Sequence, residues 1–103
     1  MLKYVLVASM FAAAVSARQL LTTCNNRDFG GSCILWHGEV KTCYSLNEYK
    51  HSISSADVHG GVHCVLYPND DCTGAGPIIS GPARNLEEQN FNDKAVAYYC
   101  FFP

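Results

Sequence analysis

Short runs of apolar and β-branched residues, separated by Gly, Pro, Asn and Asp, recur along most of the chain. Few segments place apolar residues at helical spacing, so the pattern is typical of β-strands joined by turns. The predicted strands are residues 20–24, 33–36, 41–46, 53–58, 61–67, 77–80 and 95–102. One short helical turn is predicted at 86–90. The pattern therefore indicates an all-β fold.

The first residues follow a different pattern. Lys3 precedes an apolar run at 5–15, and the small residues Val15, Ser16 and Ala17 come next. This order is typical of a secretory signal peptide, so we predict a signal peptide at 1–17 and a mature chain that starts at Arg18. No other apolar run approaches the roughly 20 residues of a membrane-spanning helix, so we expect no membrane span.

Charge and cysteine content narrow the class of protein. The seven Lys and Arg residues and nine Asp and Glu residues are scattered, and the net charge is −2. A nucleic-acid binder or a ligand of anionic membranes would usually be basic, so neither is expected. An even number of cysteines in a short exported chain predicts three disulfides. The cysteines are Cys24, Cys33, Cys43, Cys64, Cys72 and Cys100.

An internal repeat divides the mature chain into two halves, at about 18–60 and 61–103. The first copy of a short motif is Cys24, Phe29 and Gly31, in the order C-x4-F-x-G, and the second is Tyr67, Cys72 and Gly74, in the order Y-x4-C-x-G. Further on, residues 49–55 align with residues 91–97. The two halves share one structural plan.

These residues resemble the βγ-crystallin-type Greek-key domains, in which two aromatic residues and a glycine form a folded hairpin in each half. Phe29, Gly31, Tyr67 and Gly74 match that motif, while a cysteine replaces one aromatic residue in each copy. The glycine accepts a backbone conformation that a side chain would obstruct. The resemblance implies a single domain at 18–103, folded as an all-β, disulfide-bonded, two-motif Greek-key β-sandwich.

Within this family, the chain is similar to small cysteine-rich domains secreted by filamentous fungi, including effectors of plant pathogens. Residues 64–67, 71–74 and 91–94 carry this likeness. In the family, the first and fourth strands of one motif lie side by side, which implies a Cys64–Cys100 disulfide. For the other cysteines many pairings are open, and we favour Cys33 with Cys43 and Cys24 with Cys72.

Calcium binding is the first chemical question that the resemblance raises, because many microbial members of the family bind calcium through an N/D-N/D-x-x-S/T-S segment. Calcium needs oxygen ligands, and each half keeps only part of the set. The first half has Lys50, His51, Ser54 and Ser55 at these positions, and the second has Asn92, Asp93, Val96 and Ala97. We expect weak calcium binding or none, and no cofactor.

Other site chemistry is less well supported. His59 and His63 have a spacing that would suit zinc on a helix, but Gly60 and Gly61 between them argue against a helix. The remaining histidines, His37 and His51, are expected on the surface with them. The acidic pairs at 70–71 and 87–88 fall in predicted loops, and paired cysteines leave no nucleophilic thiolate. We therefore predict no metal site, no catalytic residues and no enzyme activity.

Three aromatic residues are candidates for a binding surface. Trp36 is either an exposed anchor or a core residue at the end of the sandwich. In the last strand, Tyr99 and Phe101 alternate with Tyr98 and Cys100, so one set points outward. An outward aromatic pair would suit a partner protein, a glycan or a homodimer.

These observations favour a secreted, non-enzymatic, effector-like interaction protein that binds an extracellular host or competitor target. An antimicrobial or killer-toxin-like protein of the same fold is one alternative, although the mildly acidic charge argues against it. A protease inhibitor with residues 74–81 as its exposed loop is another.

Overall fold

The computed structural model describes residues 17–103, so the predicted signal peptide lies outside the described residues except for Ala17. These residues form seven strands: β1 Arg18–Cys24, β2 Cys33–Gly38, β3 Cys43–Ser45, β4 Ser55–Val58, β5 His63–Tyr67, β6 Ile78–Ile79 and β7 Ala97–Phe101. Short 3-10 helices occupy Arg27–Phe29, Asn47–Tyr49 and Leu86–Gln89. The last of these corresponds to the predicted helical turn.

Every predicted strand has a counterpart, but several are shorter than predicted. The strand predicted at 41–46 is only Cys43–Ser45, since Lys41 has a left-handed backbone with φ of 61°. The strand predicted at 53–58 begins at Ser55, because the Ile53 and Ser54 carbonyls accept hydrogen bonds from Asp93 and Leu86, outside the sheet. In these strands apolar character extends beyond the hydrogen-bonded ladder. In contrast, β1 and β2 are each two residues longer than predicted.

The strands form two antiparallel sheets, with the orders β2-β1-β4 and β3-β7-β5-β6. β3 comes from the first half but pairs with β7 in the sheet of the second half. Conversely, Ala83 from the second half bridges to Ala56 on β4. Each half thus contributes a segment to the other sheet, which confirms the predicted all-β Greek-key sandwich.

The core lies between the sheets and continues into an aromatic cluster at one side. Tyr98 on β7 is 1% exposed, and its ring lies 5.4 Å from that of Tyr44 and 5.6 Å from that of Trp36. Burial, with Tyr44 nearby, raises the pKa of Tyr98 to about 12. The fully buried aliphatic residues include Leu20, Leu21, Leu46, Ile53, Leu66, Ile79 and Leu86.

Three disulfides link the strands and loops. Cys64 and Cys100 lie opposite each other on β5 and β7, as expected. The pairings Cys33 with Cys43 and Cys24 with Cys72 are wrong; the bonds are Cys24–Cys33 and Cys43–Cys72. β1 and β2 form a hairpin that places Cys24 opposite Cys33, with Cα atoms 4.1 Å apart. β3 crosses to the second sheet, which brings Cys43 to the loop that carries Cys72.

Candidate functional site

A hairpin loop in each half has the same backbone shape. One lies between β1 and β2 and the other between β5 and β6. Phe29 and Cys72, which occupy equivalent positions, have φ of 60° and 57°, and Gly31 and Gly74 have φ of 73° and 93°. A Cβ on Gly31 would overlap Asn25 Oδ1, and one on Gly74 would lie 2.8 Å from Pro68 Cγ. Both loops therefore require glycine at this position.

The first hairpin is closed by the Cys24–Cys33 disulfide and is also held by a buried hydroxyl group. Ser55 Oγ donates a hydrogen bond to the Asn26 carbonyl at 2.6 Å and accepts one from the Phe29 N–H at 3.1 Å. Ser55 lies on β4 and is fully buried. Arg84 adds a second contact, since its guanidinium lies 5.6 Å from the centre of the Phe29 ring. These bonds fix the loop against the first sheet.

The second hairpin is held by a disulfide and an ion pair. Cys72 is bonded to Cys43 on β3, and Lys50 Nζ lies 2.7 Å from an Asp70 carboxylate oxygen. Ala97, which aligns with Ser55, is fully buried and has no hydroxyl to offer. Each hairpin thus carries a disulfide, but the first adds a buried hydroxyl group where the second adds a partly exposed ion pair.

The segments that resemble calcium loops cross from one half to the other. His51 N–H donates to the Ala95 carbonyl at 2.9 Å, and Asp93 N–H donates to the Ile53 carbonyl at 3.0 Å. His51 and Asp93 also share a left-handed backbone, with φ of 61° and 59°. The His51 loop thus lies beside residues 95–97 of the second half, and the Asp93 loop lies beside residues 53–55 of the first half.

This crossing brings Ser54 of the first half close to Asn92 and Asp93 of the second half, and all three have side-chain oxygen atoms. Ser54 Oγ lies 3.5 Å from Asp93 Oδ1, beside a polar depression of about 360 Å³. The depression is lined by Asn26, Arg27, Ser54, Asn85, Glu87 and Asn92. The sequence did not indicate Arg27, Asn85 or Glu87 as site residues, because they come from other loops and carry no local motif. Ser54, Asn92 and Asp93 offer oxygen atoms that suit calcium, but the Arg27 guanidinium shares the depression.

The equivalent position in the other half does not fit calcium. Lys50 brings a positive charge there and is paired with Asp70, while Val96 supplies no side-chain oxygen. Ala97, beside it, has none either. Within residues 17–103, no three His, Cys, Asp or Glu side chains form a group that could hold a metal ion.

His59 and His63, which have a spacing that would suit zinc on a helix, contact different parts of the protein. His59 Nε2 lies 2.7 Å from Thr22 Oγ1, next to the first sheet. The His63 ring meets the Phe101 ring edge to face, with 5.8 Å between their centres. Each histidine thus has a local contact that needs no metal.

The outer face of the second sheet carries an apolar surface. Tyr98 and Cys100 point into the core, so Tyr99 and Phe101 are the outward pair of β7. Val65 lies opposite both Tyr99 and Ile78 across the strands, and Ile78 is 59% exposed. We call Val65, Ile78, Tyr99 and Phe101 the apolar face. Apolar groups on the solvent side of an antiparallel sheet mark a surface that can bind a partner.

Trp36 does not join this surface. Its ring is half-buried at the rim of the sandwich, and Nε1 donates a hydrogen bond to Thr23 Oγ1 at 2.8 Å. The ring centre lies 5.9 Å from that of Tyr49. Of the three aromatic candidates, the structure therefore brings Tyr99 and Phe101 together and places Trp36 against the core.

Comparisons with known proteins identify the fold. No protein-family model and no curated protein matches the sequence. A βγ-crystallin domain from Clostridium beijerinckii matches at 18% identity, over 81% of this chain and 98% of that chain, with a TM-score of 0.67. A βγ-crystallin domain from Flavobacterium johnsoniae matches at 21% identity, over 81% and 94%, with a TM-score of 0.66.

A third solved structure agrees with these two. The N-terminal domain of Protein S is 22% identical over 81% of this chain and 96% of that chain, with a TM-score of 0.67. Such identities establish the fold and not the activity. The protein has the βγ-crystallin fold.

Proposed function

We propose that this chain is a secreted, non-enzymatic interaction protein that binds an extracellular protein or glycan through the apolar face. The observation that carries the proposal is the exposure of Ile78, at 59%, beside the outward rings of Tyr99 and Phe101. Large aromatic side chains contribute strongly to binding when a partner covers them. No helix among residues 17–103 is long and apolar enough to cross a membrane.

An extracellular location is supported by two features. The three disulfides in a small domain are consistent with an oxidising compartment. The charged, apolar and small residues at 1–17 are in the order that directs export. An effector that acts on a host or competitor molecule fits both features.

The other candidate functions have less structural support. The net charge of −2 does not suit a toxin that targets anionic surfaces. Residues 74–81 include β6, which is hydrogen bonded to β5, so only part of this segment is free to enter a protease. An enzyme is less well supported still, since the six cysteines are paired and leave no nucleophilic thiolate.

The proposal is tested by capture with immobilised mature protein from host extracellular fluid and from microbial culture filtrate. We expect a protein or glycan that is retained by the native protein and lost with Ile78→Asp. Ser80→Asp is the matched control, since Ser80 is also exposed at the end of β6. Equal retention by both variants, or no specific ligand in either fluid, would overturn the assignment of the apolar face.

A further inference from the structure

The two sheets differ in how their edge strands are protected. In the second sheet, the edge strands β3 and β6 contain three and two residues. In the first sheet, β4 is covered by Ala83, which exchanges two backbone hydrogen bonds with Ala56. β2 has six residues, and its only neighbour is β1. It is the one long edge in the described chain, and such an edge is a template for another strand.

The sequence of β2 also lacks the usual protection against pairing. Its residues are Cys-Ile-Leu-Trp-His-Gly, with no Lys, Asp, Glu, Arg or Pro. The irregularity in the β1–β2 ladder is in β1, between Gln19 and Leu21, so β2 itself stays regular. Natural proteins commonly place charges, proline or a bulge on an exposed edge. β2 has none of these.

The backbone groups available on this edge follow from the register. The Cα atoms of Cys24 and Cys33 are 4.1 Å apart, which fits the close, non-hydrogen-bonded type of antiparallel pair. Cys33 and then Leu35 and His37 therefore direct their N–H and C=O groups away from β1. In the described chain, no backbone hydrogen bond outside the ladder reaches these three residues.

We propose that β2 pairs with β2 of a second copy, antiparallel, around a two-fold axis at Leu35. In this register Leu35 faces Leu35 of the second copy, and Cys33 faces its His37. All the free N–H and C=O groups of these residues are then paired. The three-stranded sheets of the two copies join into one continuous sheet, and the contact is isologous and closed.

The side chains favour a second copy over an unrelated strand. The register places Ile34 opposite Trp36 of the second copy, and Trp36 opposite its Ile34. Pairs of an aromatic and a β-branched residue stabilise antiparallel strands. On the other face, Leu35, which is 40% exposed, lies against itself at the axis.

The expected dimer is weak. No charged residue lies within β2, so no like charges of the two strands meet at the contact. Stable interfaces bury roughly 1,200–2,000 Å², and one pair of six-residue strands covers less. Association should therefore depend on concentration. This contact uses a different surface from the apolar face, so it stands or falls independently of the proposed function.

The test combines mass and local protection in the mature, disulfide-bonded protein. Sedimentation over a concentration series should show an average mass that rises toward twice that of the monomer. Amide exchange measured by NMR should show that the Leu35 N–H becomes protected as concentration rises. The Ile34 N–H, which is bonded to β1 in the monomer, should change far less.

Two variants locate the contact. Leu35→Glu places two carboxylates at the axis and should stay monomeric, whereas Phe102→Glu should associate like the native protein. Phe102 is a suitable control because it is 48% exposed and lies outside β2. A native protein that is monomeric throughout, a dimer that Leu35→Glu leaves intact, or a dimer with an unprotected Leu35 amide would each overturn the proposal. The exchange measurement decides the matter alone if Leu35→Glu does not fold.

Discussion

The two folded hairpins have the same backbone conformation but are held by different interactions. The Cys24–Cys33 disulfide closes the first hairpin on itself and the buried Ser55 hydroxyl fixes it to β4, whereas the Cys43–Cys72 disulfide ties the second hairpin to β3. At the end of the sandwich, the first half presents Lys50 paired with Asp70, while the second presents Asn92 beside Arg27. Since the left-handed positions are shared by both loops, the backbone defines the motif, and the side chains that fasten it are exchangeable.

The largest expected difference concerns the disulfides at the base of each half. Cys64–Cys100 closes a segment of 36 residues, and Cys24–Cys33 closes one of 9. Loop entropy predicts a loss of about 4 kcal/mol for the Cys64→Ala, Cys100→Ala double variant and about 2.6 kcal/mol for the Cys24→Ala, Cys33→Ala variant. Denaturant unfolding measures both, and a larger loss for the short loop would contradict this order.

Removal of the Ser55 hydroxyl should have the next largest effect. Ser55→Ala leaves the Asn26 carbonyl and the Phe29 N–H without their partner, and we expect a loss of about 2–3 kcal/mol. Ser80→Ala is the control, because an exposed serine should change the free energy of unfolding by less than about 0.5 kcal/mol. If Ser55→Ala behaves like this control, the first hairpin does not depend on these hydrogen bonds.

The paired glycines test whether the backbone requirement is equal in the two hairpins. Gly31→Ala and Gly74→Ala should each cost about 1–2 kcal/mol from the left-handed backbone, with a further cost from the contacts described above. Gly61 separates these causes, since its φ is 79° and nothing lies within 4 Å of the position of a Cβ. Thermal unfolding should therefore show Gly61→Ala as the mildest of the three. An equal loss at all three positions would mean that the contacts with Asn25 and Pro68 do not matter.

Most of the strands could be predicted from local patterning, and the Cys64–Cys100 bond from the strand order that the family resemblance implies. The other two disulfides could not. Cys33 faces Cys24 only because the loop between them closes a hairpin, and Cys43 reaches Cys72 only because β3 changes sheet. The grouping of Ser54 with Asp93 was missed for a similar reason, since the two lie in different halves and meet only when the loops cross.

The ion pair on the second hairpin should make a smaller contribution. The Lys50 and Asp70 side chains are 33% and 63% exposed, so water and salt screen their attraction. Lys50→Met should cost roughly 0.2–1 kcal/mol, and the loss should shrink at high salt. Arg27→Met is the matched variant, because Arg27 pairs only with the adjacent Asp28 and both side chains are more than half exposed. Its effect on denaturant unfolding should be near zero, and an Arg27→Met loss as large as that of Lys50→Met would remove the contrast between the hairpins.

The smallest expected effect is that of calcium on the native protein. It tests the contrast between the Asn92 side, which keeps oxygen ligands, and the Lys50 side, which does not. A ligand stabilises the fold only as far as it binds the native state. Because we expect calcium to bind weakly or not at all, the melting temperature should barely rise when calcium is added. Arg27→Gln removes the positive charge beside Ser54, Asn92 and Asp93, and should increase the calcium-dependent rise in melting temperature. Lys50→Gln should not, because Val96 supplies no oxygen at the equivalent position. Calorimetric titration checks both variants against the native protein. Micromolar binding by the native protein, or an equal gain from the two variants, would show that the charges of Arg27 and Lys50 do not set the difference.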